Sequence, residues 1–242
     1  MENVSFRNNI DCYFGDCSEL FQTIKDKSVD FILTDIPYEL NTVGGGCGFD
    51  GERIKYESNE QSSLFFISHG IDYDKIFSEF LRVMKKPNAC IFCSNLQVSK
   101  IMSWWENKGL SVTLLVWDKP NPIPFGNKQY INNLEFIVYV RGKGATFNSL
   151  AYDRKFKSFK YASPSAKVRI HETEKPQKLL SHLLSIHTKE DDLVLDPYSG
   201  SFSTAIACYS GNRRFIGCEI DKDIFNNAMT RLKQVTAQLS LF

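Results

Sequence analysis

The stretch Leu193-Val194-Leu195-Asp196-Pro197-Tyr198-Ser199-Gly200-Ser201, followed by Ser203 to Ser210, Gly211 and Arg214 to Glu219, decides the fold. Leu193 to Leu195 is a short apolar run ending at Asp196 and reads as a buried strand. Pro197 to Ser201 is a turn, Ser203 to Ser210 a helix closed by Gly211, and Arg214 to Glu219 a second strand. Strand, turn, helix and strand in that order make a unit of parallel strands. In open parallel sheets, functional groups gather beyond the carboxyl ends of the strands. Gly200 lets the backbone approach a ligand there. Glu219, 23 residues after Asp196, can accept both hydroxyl protons of a ribose, so the spacing points to a nucleoside-bearing cofactor. The Gly-x-Gly-x-x-Gly loop that a pyrophosphate ligand would want is absent. The plainer alternative is an ordinary strand-to-helix turn with an exposed Glu219.

Outward from this unit the same alternation continues. Val29 to Thr34 is an apolar run ending at Asp35-Ile36-Pro37-Tyr38, a second buried strand with a polar turn at its carboxyl end. Glu39 to Ser63 is polar, holds five glycines and has no period, which reads as a mobile loop or lid. Tyr73 to Lys85 has helical spacing, then come a strand from Ala89 to Ser94, a helix from Val98 to Lys108, and strands from Val112 to Trp117 and Leu134 to Val140. Lys178 to His187 is an apolar helix behind Pro176, a favoured first-turn residue. A last helix begins after Asp221 or Asp223 and runs through Ile224, Ala228 and Leu232. The expectation is an α/β fold on a parallel sheet.

Composition bounds what this fold can be. The chain has 242 residues, 43% of them hydrophobic, enough to bury a sizeable core. No run approaches the roughly 18 apolar residues of a membrane span, and Met1 to Asn9 is too polar for a secretory signal, so a cytoplasmic protein is expected. Seven scattered cysteines fit reduced thiols. Cys90 and Cys93 form a C-x-x-C, but on a strand they face opposite ways and read as core thiols. His69, His171, His182 and His187 lack metal-ligand spacing, and no metal is expected.

The net charge of +1 hides an uneven distribution. Between Arg141 and Arg169 stand eight cations (Arg141, Lys143, Arg154, Lys155, Lys157, Lys160, Lys167, Arg169) against the single anion Asp153. Phe147, Tyr152, Phe156, Phe159 and Tyr161 are interleaved with them, a pattern suited to phosphate contact beside base stacking. A solvated loop over an aromatic mini-core is the alternative.

Four segments in order carry a resemblance: Asp35-Ile36-Pro37-Tyr38, Trp117-Asp118-Lys119-Pro120-Asn121-Pro122, His171-Glu172-Thr173-Glu174-Lys175-Pro176, and Val194 to Ser201. Together they resemble the DNA amino methyltransferases that act on the N6 of adenine or the N4 of cytosine, whose hallmark is Asp-Pro-Pro-Tyr. The order, with the tetrapeptide first and the cofactor loop last, looks like their circularly permuted β class. The resemblance implies a Rossmann-like sheet flanked by helices, with 1–140 and 170–242 as one catalytic domain and 141–169 as a basic target-recognition insertion. It implies S-adenosyl-L-methionine as cofactor, touching Asp16, Cys17, Asp196, Pro197, Tyr198, Gly200 and Ser201, with Glu219 on the ribose and Thr173 and Lys175 on the methionine carboxylate. Asp16 has a plainer alternative as a helix cap.

By the same resemblance, Asp35 and the carbonyl of Ile36 would accept the two hydrogens of the target amine while Tyr38 stacks on a base flipped out of double-stranded DNA. Pro37 biases Ile36 towards an extended backbone. Asp35 favours adenine over cytosine, because the cytosine members usually carry Ser there. A bacterial or phage protein, working as a homodimer or beside a companion restriction enzyme, is compatible with this. The chain departs from the pattern in Ile36 for the first proline, Glu172 for the common proline of His-Pro-Thr, and Phe202 for the second glycine of the cofactor loop. These leave a catalytically impaired binding relative as the rival, and methylation of RNA or of a protein amide as a third class.

Overall fold

A computed structural model describes residues 1–39, 71–122, 130–149, 151–165 and 174–239. Among them, nine strands form one sheet: β1 (Glu2–Phe6), β2 (Ile10–Phe14), β3 (Phe31–Asp35), β4 (Asn88–Cys93), β5 (Ser111–Asp118), β6 (Leu134–Arg141), β7 (Ser158–Lys160), β8 (Leu193–Asp196) and β9 (Arg214–Glu219). Their spatial order is β1-β2-β9-β8-β3-β4-β6-β5-β7. Six helices flank it: α1 (Cys17–Thr23), α2 (Tyr73–Val83), α3 (Val98–Glu106), α4 (Gln177–His187), α5 (Ser203–Ser210) and α6 (Lys222–Leu239).

The apolar runs form strands because both their faces are covered. On β3, Phe31 and Leu33 join a core with Leu179 and Leu183 of α4, Phe202 and Phe225, while Ile32 joins a second core with Leu20, Phe77, Phe80 and Trp105. Cys90 and Cys93 fall into these two different cores, as their spacing requires. Helices α1 to α3 thus cover one face and α4 to α6 the other.

The expected parallel sheet is corrected at its margins. Strands β2, β9, β8, β3 and β4 are parallel, but β6 lies antiparallel between β4 and β5, and β1 antiparallel beside β2. Strands β5 and β6 follow one another in the chain and pair antiparallel, an arrangement that requires no crossover helix. The strand β1 was missed because it is short and mostly exposed, and its turn holds Asn8 and Asn9 at φ 62° and 53°, left-handed backbone that Asn tolerates well.

From β3 the chain continues to β4 on one side, and from β8 to β9 on the other. The switch point between β3 and β8 is where such sheets leave a crevice at their carboxyl edge. The basic stretch is built into this sheet: Ser158–Lys160 pairs with β5 as its outer strand, and Phe159 enters the core. The glycine-rich segment from 40 onward, and Lys167, Arg169, His171 and Thr173, lie outside the described residues.

Candidate active site

Asp35 is the last residue of β3 and Asp196 the last of β8, so the switch point brings two carboxylates to one edge. Their roles differ. Asp196 is 3% exposed, and its carboxylate accepts from Thr34 Oγ1 at 2.8 Å, Thr204 Oγ1 at 2.8 Å and the Tyr198 backbone N–H at 3.3 Å. Burial lifts its pKa to about 7, against the pull of these donors. Its side chain is thus occupied in tying the turn after β8 to β3 and α5.

Asp35 is held on one oxygen only. Lys175 Nζ lies 2.5 Å from Oδ2, whereas Oδ1 is buried with no hydrogen-bond partner. A buried acceptor without a donor costs about 1–3 kcal/mol, which makes it a place where a donor is expected to arrive. Burial raises the Asp35 pKa, Lys175 opposes that, and Glu135 adds to it. Lys175 is itself buried, and although burial depresses an ammonium, Asp35 and Glu135 outweigh it and hold its pKa above the ordinary lysine value.

The rest of the tetrapeptide is braced by its surroundings. Ile36 is buried in the core that contains Ile101. The carbonyl of Pro37 accepts from Gln97 Nε2 at 2.9 Å, and Gln97 Oε1 accepts from Ser94 N at 3.0 Å, so the turn after β4 fixes the turn after β3. Tyr38 lays its ring beside the Lys175 ammonium, 5.5 Å from Nζ to the centroid, and its hydroxyl donates to Glu135 Oε2 at 3.3 Å. Burial drives the Tyr38 pKa well up, with Asp35 and Glu135 adding to it.

Beside this cluster lies the turn after β8, against the ends of β2 and β9. Gly15 N donates to the Glu219 carbonyl at 2.9 Å, joining the ends of β2 and β9. Asp16 caps α1, its Oδ1 accepting from Ser18 N at 2.8 Å and Ser18 Oγ at 2.5 Å, which bears out the plainer alternative for its carboxylate. The Cys17 thiol, pushed up to about 11 chiefly by burial, interacts with Tyr198. The carbonyl of Pro197 accepts from Cys218 Sγ, and Ser201 Oγ pairs with Ser203 Oγ at 2.8 Å. Glu219 Oε2 accepts from Gly200 N at 2.9 Å and Oε1 from Asp221 N at 2.8 Å. Burial raises the Glu219 pKa against these donors.

Two backbone positions explain the loop. Gly200 has φ +49°, and a Cβ built there would meet nothing within 4 Å, so this backbone borders open space next to a buried carboxylate. At Gly217 a Cβ would sit 2.4 Å from Ser199 Oγ and 2.5 Å from the Asp196 carbonyl, so only glycine lets the turn rest against β9. Phe202 is left-handed (φ 54°, ψ 32°), the conformation that favours a glycine, yet its ring is fully buried against Phe215 and Phe225 at 6.1 and 5.8 Å. It points into the core and leaves the loop clear.

The sequence-predicted residues Asp35, Ile36, Pro37, Tyr38 and Lys175 are brought together, as are Cys17, Tyr198, Gly200 and Glu219. Lys175, expected at a cofactor carboxylate, is placed on Asp35. The six described cations of the basic stretch are not brought together. Arg141 pairs with Asn88 at the start of β4, the sheet edge opposite Asp35, with its guanidinium over Phe147; Lys143 follows in the next turn. Arg154 reaches Ser185 late in α4. Lys160 pairs with Asp118 at the edge that carries Asp35, and Lys155 and Lys157 are exposed on the approach to it. Sequence reasoning missed Glu135, Lys119 and Gln97. Glu135 had one signal, an acid near the start of the apolar run Leu134 to Val140.

The DNA methylase family model of the N6/N4 type matches residues 29–230, and the chain belongs to that family: it is a DNA amino methyltransferase of the N4/N6 type. Among its relatives, it is 26% identical to the Type II methyltransferase M2.MboI of Moraxella bovis, over 96% of this chain and 90% of that one. It is 25% identical to M2.LlaDCHI of Lactococcus lactis subsp. cremoris, over 91% and 88%. The crystal structure of an M1.HpyAVI–SAM complex matches with TM-score 0.68 and 27% identity, covering 92% of this chain and 98% of that one. The cytosine-N4-specific PvuII methyltransferase shares the fold with TM-score 0.68 at 14% identity, covering 95% and 92%.

Proposed function

We propose that this protein transfers a methyl group from S-adenosyl-L-methionine to the exocyclic N6 amine of an adenine flipped out of double-stranded DNA. The observation that carries this reading is Asp35, whose Oδ2 is held by Lys175 while its buried Oδ1 lacks a donor. An exocyclic amine is conjugated with its ring and is a poor nucleophile. Accepting its hydrogens at Asp35 Oδ1 and at the Ile36 carbonyl draws the nitrogen lone pair out of that conjugation. An amine so activated would take up the electrophilic methyl group that the bound cofactor supplies, whose sulfur leaves as a thioether, and the surplus proton on the nitrogen would pass to Asp35. Alignment of the two centres supplies much of the rate. Tyr38 offers the face on which a flipped base stacks, the only route to an atom enclosed in a duplex.

The cofactor reading is supported by the fit of Glu219 and Gly200. A buried carboxylate meets a glycine backbone bordering open space, with Cys17 and Tyr198 beside them. When bound, S-adenosyl-L-methionine supplies an electrophilic methyl on a sulfonium. Glu219 would exchange its bond from Gly200 N for ribose hydroxyls, and the Lys175 ammonium adds a nearby cation. Lys155, Lys157 and Lys160, with the exposed rings of Tyr152 and Phe156, form the DNA-facing part of the basic stretch. The Type II relatives point to a restriction–modification setting.

Modification-sensitive sequencing of DNA from cells expressing the chain, beside its Asp35→Ala variant, tests this. N6-methyladenine at a short site, absent with the variant, is the expected result. N4-methylcytosine would overturn the choice of base, and identical modification from both chains would overturn the role of Asp35.

A further inference from the structure

Four charged side chains from four separate segments line up at the catalytic edge. Lys119, just beyond β5, places Nζ 2.6 Å from Glu135 Oε1. Glu135 of β6 places Oε2 3.2 Å from Lys175 Nζ, which lies 2.5 Å from Asp35 Oδ2. None of the four side chains is more than 22% exposed, so each ion depends on its neighbours for compensation. The aromatic lining adds to this: Lys119 sits over the Trp117 ring and Lys175 over that of Phe92. Glu135 is the hub, because the same Oε2 that meets Lys175 also takes the Tyr38 hydroxyl. Burial works to raise its pKa, but Lys175 and Lys119 outweigh that and hold it below the usual carboxylate range.

We propose that Glu135, braced by Lys119, is a positioning residue for methyl transfer. By drawing the Lys175 ammonium towards itself it keeps that ammonium on one oxygen of Asp35 and reserves the other for the target amine. An ammonium is a compact charge with three donors on a flexible stem. With the charge of Glu135 removed, the balance of attraction on that ammonium shifts towards Asp35 and favours its bridging both carboxylate oxygens, which would fill the acceptor the amine needs. The Tyr38 hydroxyl, tethered to the same oxygen of Glu135, keeps the stacking ring in register with Asp35. The inference rests on amino methylation at Asp35 as read above.

Steady-state methylation of DNA across pH tests it, with Glu135→Gln, Lys175→Met, Lys119→Met and the double variant Lys119→Met/Glu135→Gln. The groups facing Asp35 are Lys175 from the segment before α4, Glu135 from β6, Tyr38 from its own turn, Cys93 from β4 and Asp196 from β8. The ionised form of Asp35 is the acceptor, so activity falls as pH drops through its pKa. Removing the negative charge of Glu135 should move this acid limb to lower pH, and removing the positive charge of Lys175 should move it to higher pH. In Glu135→Gln, kcat should fall about tenfold or more while KM for the cofactor changes less than about twofold. Lys119→Met should lose less, and the double variant no more than Glu135→Gln alone, since Lys119 acts through Glu135.

Wild-type kcat and an unmoved acid limb in Glu135→Gln, with Asp35→Ala inactive, would overturn the proposal and leave the methylation reading intact. Full activity in Asp35→Ala would overturn that reading itself. Should Glu135→Gln fail to fold, the double variant, which removes one charge of each sign, carries the same test. Its expected result is the same kcat loss, and wild-type kcat in it would overturn the proposal.

Discussion

At Asp35 the two oxygens of one carboxylate have different surroundings, and the chemistry depends on that difference. Asp35→Asn would keep its amide oxygen on the Lys175 ammonium and put an NH2 donor where the target amine needs an acceptor, and methyl incorporation from labelled cofactor should drop about a hundredfold or more. Asp196 makes a prediction of a different kind. Its folded-state pKa of about 7 stands above the unfolded value of 3.8, so the folded chain holds this proton more tightly. Its contribution to stability is therefore full below about pH 4 and is lost as pH rises through about 7. In Asp196→Asn, whose amide can donate to Thr204 Oγ1 and accept from Thr34, urea midpoints at pH 5 and pH 8 should differ less than in the parent. At Phe202, truncation discards a buried ring worth about 3–5 kcal/mol, but glycine also relieves about 1 kcal/mol of left-handed strain. Thermal melts should rank Phe202 above Phe202→Gly, and Phe202→Gly above Phe202→Ala by about 1 kcal/mol, the reverse of the usual Gly–Ala order in helices.

Among the elements, α1 has its start fixed by one side chain. Asp16 is its N-cap, and Asp16→Ala should cost about 1 kcal/mol in chemical denaturation while Asp16→Asn costs far less. A larger loss of cofactor affinity in Asp16→Asn than in stability would show that the carboxylate serves the pocket as well. The central strands were legible because a strand covered on both faces is a continuous apolar run, as at Phe31 to Leu33 and Val194 to Leu195. The edge strands were not: β1 and β7 are short and largely exposed, and only Phe159 of Ser158–Lys160 is buried. Their pairing is decided by the neighbouring strand that accepts them, which local sequence does not record.

Across the whole molecule, the sheet divides the basic stretch between its two edges. Lys157→Ala and Lys160→Ala, near the edge of Asp35, should weaken DNA binding and flatten its dependence on salt, each removing about one phosphate contact. Arg141→Ala and Lys143→Ala, at the opposite edge, should leave that slope unchanged. Equal losses from both pairs, measured by salt titration of binding, would show that DNA reaches round to the far edge. Among the described residues no helix is long and apolar enough to cross a membrane.

The sequence by itself determined the βαβ pattern, with Asp35 and Asp196 at the ends of apolar strands and Gly200 and Glu219 on either side of the helix that follows, because those signals are local: an apolar run, a turn residue, a fixed spacing. It did not determine what Asp35 would face. Lys175 is 140 positions away in the chain and Glu135 is 100. Only the closure of β6 against β4 and the docking of the segment before α4 bring them to one carboxylate. Likewise the sequence drew the basic stretch as one block, while the antiparallel run of β6 and the return through β7 set Arg141 and Lys160 on opposite edges. Which charges meet is a property of strand order and direction, and those are settled by long-range packing.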